Sequence, residues 1–264
     1  MFRLVPVLLG LLVTAVVAGP AFAVCQLVAD APYRAPGPDE MRIWRASLQA
    51  NEVQIRYIDH STFELETPKG VRIATDYNDS VRPLLPPDVA TMNGAHSTHY
   101  SISPDPNIEH LLYGWNPKGG PLDHDVTVDD VRIRNIQTNI RGWDGEERRL
   151  GNSIFIFEVA GLCIGHLGHL HHKLTEENYA AIGRLDILMV PVDGGMTMSQ
   201  EGMGEIAERL QSRIILPMHR FRGPIDRFLS RVPDFDVDWR GSDTITVSVK
   251  TLPARPTVII LPGV

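Results

Sequence analysis

Leu185-Asp186-Ile187-Leu188-Met189-Val190-Pro191-Val192 and Arg213-Ile214-Ile215-Leu216-Pro217-Met218 are two short, almost wholly apolar runs, and the segment between them decides the fold class. Runs of this kind are strands with both faces covered by other layers. Between them, Met203, Ile206, Ala207 and Leu210 recur at helical spacing behind a capping Ser199, so a helix joins the two strands. Strand, helix and strand in succession define a layered α/β domain. Just upstream, Thr175 is placed to cap a helix that runs to Ile182, and Gly183 to end it.

Further from that centre the chain is mostly strand. Apolar runs at Glu52–Ile58, Thr62–Glu66, Val71–Thr75 and Val89–Met92 are separated by Pro, Gly, Asn and Asp. After a loop-rich stretch from Ser101 to Gly120, strands are predicted at Val126–Ile136, Ser153–Val159 and Leu162–His166, the last two joined by a tight Ala160-Gly161 turn. Thr244–Val249 and Thr257–Leu261 close the chain. Arg141 to Leu150 reads as a loop, and with Trp115 and Trp143 it is expected to contribute to a rim.

Residues 1–23 read as a secretory signal: Arg3, an apolar Leu4–Val17, and Ala21-Phe22-Ala23 as the cleavage motif. The apolar stretch ends at Gly19-Pro20 after about fifteen residues, short of the roughly twenty that span a membrane. The expectation is a periplasmic or secreted protein with no membrane segment after cleavage. Residues 24–50, rich in Pro and Ala, read as an N-terminal extension, and residues 51–264 as one domain. Net charge is −7, which argues against nucleic acid or an anionic membrane as partner and leaves a small-molecule substrate. The two cysteines, Cys25 and Cys163, make no disulfide framework, although an oxidising compartment permits one bridge; Cys163 lies in an apolar run and reads as a buried thiol.

Seven of the ten histidines fall in three places: His96 and His99; His166, His169, His171 and His172; and His219. Each place follows an apolar strand, where loop side chains of an α/β sheet converge on ligands. Imidazole is the commonest protein ligand for zinc and its neighbours, so the joint clustering points to a metal site.

On these residues the chain resembles the metallo-β-lactamase superfamily, in its Zn-dependent hydrolase-like branch. The pieces occur in family order over nearly the whole of the chain after residue 23. Tyr57-Ile58-Asp59-His60-Ser61-Thr62-Phe63 is similar to G-H-S-x-F, and Ile73-Ala74-Thr75-Asp76 forms a strand end. The histidine loop follows Pro87-Asp88-Val89, Gly151-Asn152-Ser153 leads to His166-Leu167-Gly168-His169, and Pro217-Met218-His219 precedes the closing Pro256 to Gly263. The resemblance implies an αββα four-layer sandwich with the site at one edge of two packed sheets, and suggests a homodimer.

The ligand pattern departs from that family. In place of H-x-H-x-D-H the chain has Gly94-Ala95-His96-Ser97-Thr98-His99, no histidine stands near Asn139, and His169 replaces the bridging aspartate. The resemblance then implies one metal per chain, zinc, with iron or manganese as alternatives, held by His96, His99, His169 and His219. Asp76 is expected to orient a ligand histidine or else to cap a turn, and His60 to touch substrate or else to be structural. His166 reads as packing, His171 or His172 as candidates to replace a lost ligand, and Tyr100 as an oxyanion donor or a packed rim residue. Three functions remain open. The first is hydrolysis of an ester, lactone, amide or phosphoester by metal-activated water; the second is non-catalytic metal or ligand binding; the third is oxidative chemistry at iron or copper.

Overall fold

A computed structural model describes Cys25 and residues 48–264 other than 143, 144 and 222. The proposed signal, nearly all of the proposed extension, and Trp143 lie outside the described residues. Two sheets face each other. The first takes strands β1 (Val53–Asp59), β2 (Thr62–Glu66), β3 (Arg72–Ala74), β4 (Val89–Met92) and β5 (His110–Tyr113) in sequence order. The second takes β6 (Asp125–Val128), β7 (Val131–Arg141), β8 (Glu147–Val159) and β9 (Leu162–His166) as an edge-to-centre series. It continues through β10 (Ile187–Pro191), β11 (Ile214–Met218), β14 (Thr257–Ile260) and β12 (Asp236–Trp239), while β13 (Thr244–Val247) pairs with β1 in the first sheet.

Helix α1 (Glu176–Ile182) packs on β7 and α2 (Gln200–Leu210) on β10, while the short α3 (Asp226–Leu229) lies against α2. Thr175 accepts from the Asn178 amide in a capping box, Gly183 closes α1 at φ 71°, and Ser199 caps α2, as their residue types dictate. The core fills the space between the sheets: Ile55, Phe63, Leu65, Ile73 and Val89 from one meet Ile133, Phe155, Phe157, Ile164, Leu188 and Leu216 from the other. Side chains alternate across a strand, so Ala74, Ala90 and Met92 point the opposite way. There they meet Tyr77 and Ile108, with Tyr100 and Trp115 packed alongside. The outer face of β3–β5 is thus covered by a loop-borne cluster.

Several expectations are corrected. Val126–Ile136 is not one strand but a hairpin turning at Asp129-Asp130, with Asp129 at φ 51°. The turn has no glycine, and Thr67 and the Lys69 amide hold it by donating to the Asp130 carboxylate. Both ends of Arg141–Leu150 are strand, at Arg141 and Glu147–Leu150, because the β7–β8 ladder extends to Arg141↔Glu147. Its residues are polar on both faces there, so no period-2 pattern marked it. Strands β5 and β12 are short sheet edges whose pairing partners supply what their composition does not. Cys163 is not a thiol: it is joined to Cys25, with Cα atoms 5.9 Å apart and 138 positions between them in sequence.

Candidate metal centre

Strands β3 and β4 run parallel to each other, as do β9, β10 and β11, and these strands end at one edge of the sandwich. Each end delivers a polar residue: Asp76 after β3, His96 and His99 after β4, His169 after β9, Asp193 after β10 and His219 after β11. The β1–β2 turn adds His60. The two sheets are tied together here, because the His219 amide donates to His60 O at 2.6 Å and His166 Nε2 lies 2.9 Å from Ser61 O.

Five imidazoles converge. Donor nitrogens of His60, His96, His99 and His219 all lie within 4.8 Å of one another. The His169 ring centroid is 4.9 Å from those of His96 and His99 and 5.1 Å from that of His219. His60, read from sequence as a substrate contact, therefore stands inside the cluster, 4.0 Å from the His219 ring. The Nε2 atoms of His99 and His219 face each other at 3.1 Å. Two nitrogens bound to one tetrahedral zinc at 2.0–2.1 Å would stand about 3.3 Å apart.

The outer nitrogens of His99 and His96 are hydrogen-bonded, and that of His219 faces a carboxylate. His99 Nδ1 lies 2.6 Å from Asp76 Oδ2, and Asp76 Oδ1 also accepts from Asn93. His219 Nδ1 stands 3.3 Å from Asp193 Oδ1, a carboxylate held by the Gly195 and Met196 amides. His96 Nδ1 is 2.9 Å from Thr98 Oγ1. His60 Nε2, His96 Nε2, His219 Nδ1 and both nitrogens of His169 are buried without a hydrogen-bond partner. Buried polar atoms are seldom left so, and unpartnered nitrogens on four converging rings fit a metal ion. Neutral imidazole is also the form a metal requires. Burial, then the neighbouring histidines, pulls His60 down to about 4 and His169 to about 2, and holds His99 well below its usual value. Burial pushes Asp76 up. It pushes Asp193 the same way, but the hydrogen bonds from His219 and Thr197 outweigh it and hold that carboxyl below its usual range.

The backbone is strained at the same place. His60, Asp76 and His219 have φ of 54°, 42° and 53°, left-handed conformations that cost a non-glycine residue on the order of 1 kcal/mol or more and gather at functional sites. Gly168, at φ 61°, is required: a Cβ there would stand 2.4 Å from both Asn152 Oδ1 and Asn93 Nδ2. Those two asparagines link the His169 amide and Asp76 to the second sheet.

Other candidates fall elsewhere. His166 is packing, as read. His171 Nδ1 and His172 Nε2 engage the Asn139 backbone outside the cluster, so neither replaces a lost ligand. Tyr100 packs edge-on against Trp115. Asp76 is a histidine partner and not a turn cap. Asp193 was missed, although a carboxylate directly after a buried strand is the signal that had singled out Asp76.

The depressed imidazoles set a pH dependence. Below about 6.5 the unfolded chain takes up protons that the folded cluster refuses. Metal-free protein should therefore lose stability as pH falls from 6.5 toward about 4 through His60, and further toward about 2 through His169. Above 6.5 the contribution is fully present. Thermal midpoints of EDTA-treated protein at about pH 7.5, 6 and 5 should fall in that order; a flat profile would refute the buried, neutral cluster.

A two-sheet α/β sandwich with an imidazole cluster where its parallel strands end defines the class of metal-site proteins built on the metallo-β-lactamase fold. Residues 54–219 match the beta-lactamase superfamily domain, and the chain belongs to that family. It is 22% identical over 200 residues to a metal-dependent hydrolase of Thermococcus onnurineus (strain NA1), across 63% of this chain and 84% of that one. A candidate Zn-dependent hydrolase of the metallo-beta-lactamase superfamily from Thermotoga maritima superposes with a TM-score of 0.58 at 26% identity, covering 79% of this chain and 98% of its own. A candidate metal-dependent hydrolase from Parabacteroides distasonis shares the fold at 18% identity and a TM-score of 0.57, over 70% of this chain and 90% of that one.

Proposed function

We propose that His96, His99, His169 and His219 hold one zinc ion and that the protein hydrolyses a small molecule, an ester, lactone, amide or phosphoester. The convergence of these four rings, with unpartnered buried nitrogens among them, carries this reading, and the metal-dependent hydrolases among its relatives support it. A bound zinc ion supplies Lewis acidity and lowers the pKa of water toward about 7. The chain's own residues do the positioning. Asp76 accepts from His99 Nδ1–H and turns Nε2 into the cluster, Thr98 engages His96 Nδ1, and the Asp193 carboxylate stands beside His219 Nδ1. This is the carboxylate–histidine arrangement that fixes a ligand's tautomer. His60, neutral at pH 7 and leaning on His219, is placed to contact the substrate.

The replacement of the family's two aspartates by Thr98 and His169 favours a second reading, a binding protein that kept the fold and lost turnover. Elemental analysis of purified protein together with turnover of 4-nitrophenyl esters separates the two. One zinc with turnover supports hydrolysis, one zinc without turnover supports binding, and absence of metal rejects both. A coloured, redox-active centre would instead show oxidative chemistry. His60→Ala should keep the metal and lose turnover; loss of the metal would make His60 a ligand. Export to the periplasm or medium is part of the proposal, since the Cys25–Cys163 disulfide suits an oxidising compartment.

A further inference from the structure

The β7–β8 hairpin reaches past the sheet edge and is pinned to both loops of the cluster by arginines. Arg141 donates to Gly195 O, in the loop that carries Asp193, at 3.2 Å. Arg148 donates through a terminal nitrogen to Gly94 O, at the start of the loop that carries His96 and His99. The contact with residue 94 is close. A Cβ there would stand 2.9 Å from that Arg148 nitrogen, 3.0 Å from Gly151 O and 3.1 Å from the Trp115 ring. Residue 94 is the position where the family motif quoted above begins with a histidine. In this chain the side chain is absent and a guanidinium fills the place where it would start.

The guanidinium is a permanent cation with five N–H donors in a planar fork. Arg148 is exposed, and its guanidinium is anchored on Gly94 O, two residues before His96. The neighbouring Glu147 carboxylate does not neutralise it from the same side: successive strand residues face opposite ways, and Glu147 accepts from Asn139 Nδ2.

We propose that Arg148, supported by Arg141, is the anion-recognition group of this site and selects substrates that carry a carboxylate or phosphate. This rests on the reading of the histidine cluster as a one-metal site, beside which Arg148 supplies the second positive charge.

The test uses full-length zinc-loaded protein and inorganic phosphate as probe, titrated calorimetrically, with metal content measured in parallel. Arg148→Ala should weaken phosphate binding about tenfold to a hundredfold, the loss expected for a hydrogen bond to a charged group, while one zinc per chain is retained. Arg148→Lys should recover part of that loss. Gly94→Ala, whose new methyl crowds the guanidinium and also Gly151 O, should weaken phosphate in the same direction, with its metal content measured alongside. Wild type that binds no phosphate, or Arg148→Ala that binds it as tightly as wild type, overturns the proposal. So does loss of zinc in Arg148→Ala, which would make the arginine a support of the metal site. Wild type that holds no metal under any loading condition defeats the cluster reading instead, and the two failures are told apart by the metal assay alone.

Discussion

Replacing His99 with alanine is expected to strip the metal from the protein and to cost about 1–3 kcal/mol of stability, the range for leaving a buried hydrogen-bonding partner unsatisfied. His99 is fully buried, its Nε2 lies 3.1 Å from that of His219, and its Nδ1 lies 2.6 Å from Asp76 Oδ2. The substitution therefore removes a ligand and leaves a buried carboxylate with only Asn93 and its remaining neighbours to answer it. The two consequences separate in a double variant. Asp76→Asn combined with His99→Ala removes the orphaned charge and should recover part of the stability, but none of the metal. His169→Ala should likewise release the metal while costing less stability, since neither of its nitrogens has a hydrogen-bond partner to abandon. Elemental analysis and urea denaturation of the three variants check this. Full metal retention in either His99→Ala or His169→Ala would show that the ligands lie elsewhere.

Reducing the Cys25–Cys163 disulfide should produce the second large effect. The bridge joins positions 138 residues apart, and closing a loop of that length removes up to about 5 kcal/mol of unfolded-state entropy, with about 2–4 kcal/mol the usual measured yield. Cys163 is wholly buried and Cys25 nearly so. The bond should resist mild reductant in the folded protein and break only when unfolding exposes it. Urea titrations with and without dithiothreitol should differ by that amount, and Cys25→Ser should match the reduced protein. Two free thiols in native protein purified without reductant would remove the premise.

The fold was largely legible because burial on both faces leaves a direct mark on composition. Ile187–Pro191 and Ile214–Met218 are apolar because layers cover them on both sides, and the caps Thr175 and Ser199 announce their helices locally. Strands β5 and β12 were not legible, since four residues at a sheet edge owe their conformation to a partner strand and not to their own pattern. The Asp129-Asp130 turn was missed for a related reason, because residues 61 and 63 positions away hold it.

The candidate site divides in the same way. Along the chain, histidines already fall at the ends of buried strands, Asp76 ends a strand beside them, and Gly94 and Thr98 leave gaps where a related loop has ligands. Which histidines meet depends on how the sheets stack. His60 and His219 are brought ring to ring, and His171 and His172 are turned away onto Asn139. The tertiary structure also decided that Asp193 backs His219, that Cys25 closes onto Cys163, and that Arg148 occupies the space at Gly94. Spacing along the chain fixes which way a side chain points from its own strand, whereas the distance between two strand ends is set by how the sheets stack, and that follows from the packing of the whole core.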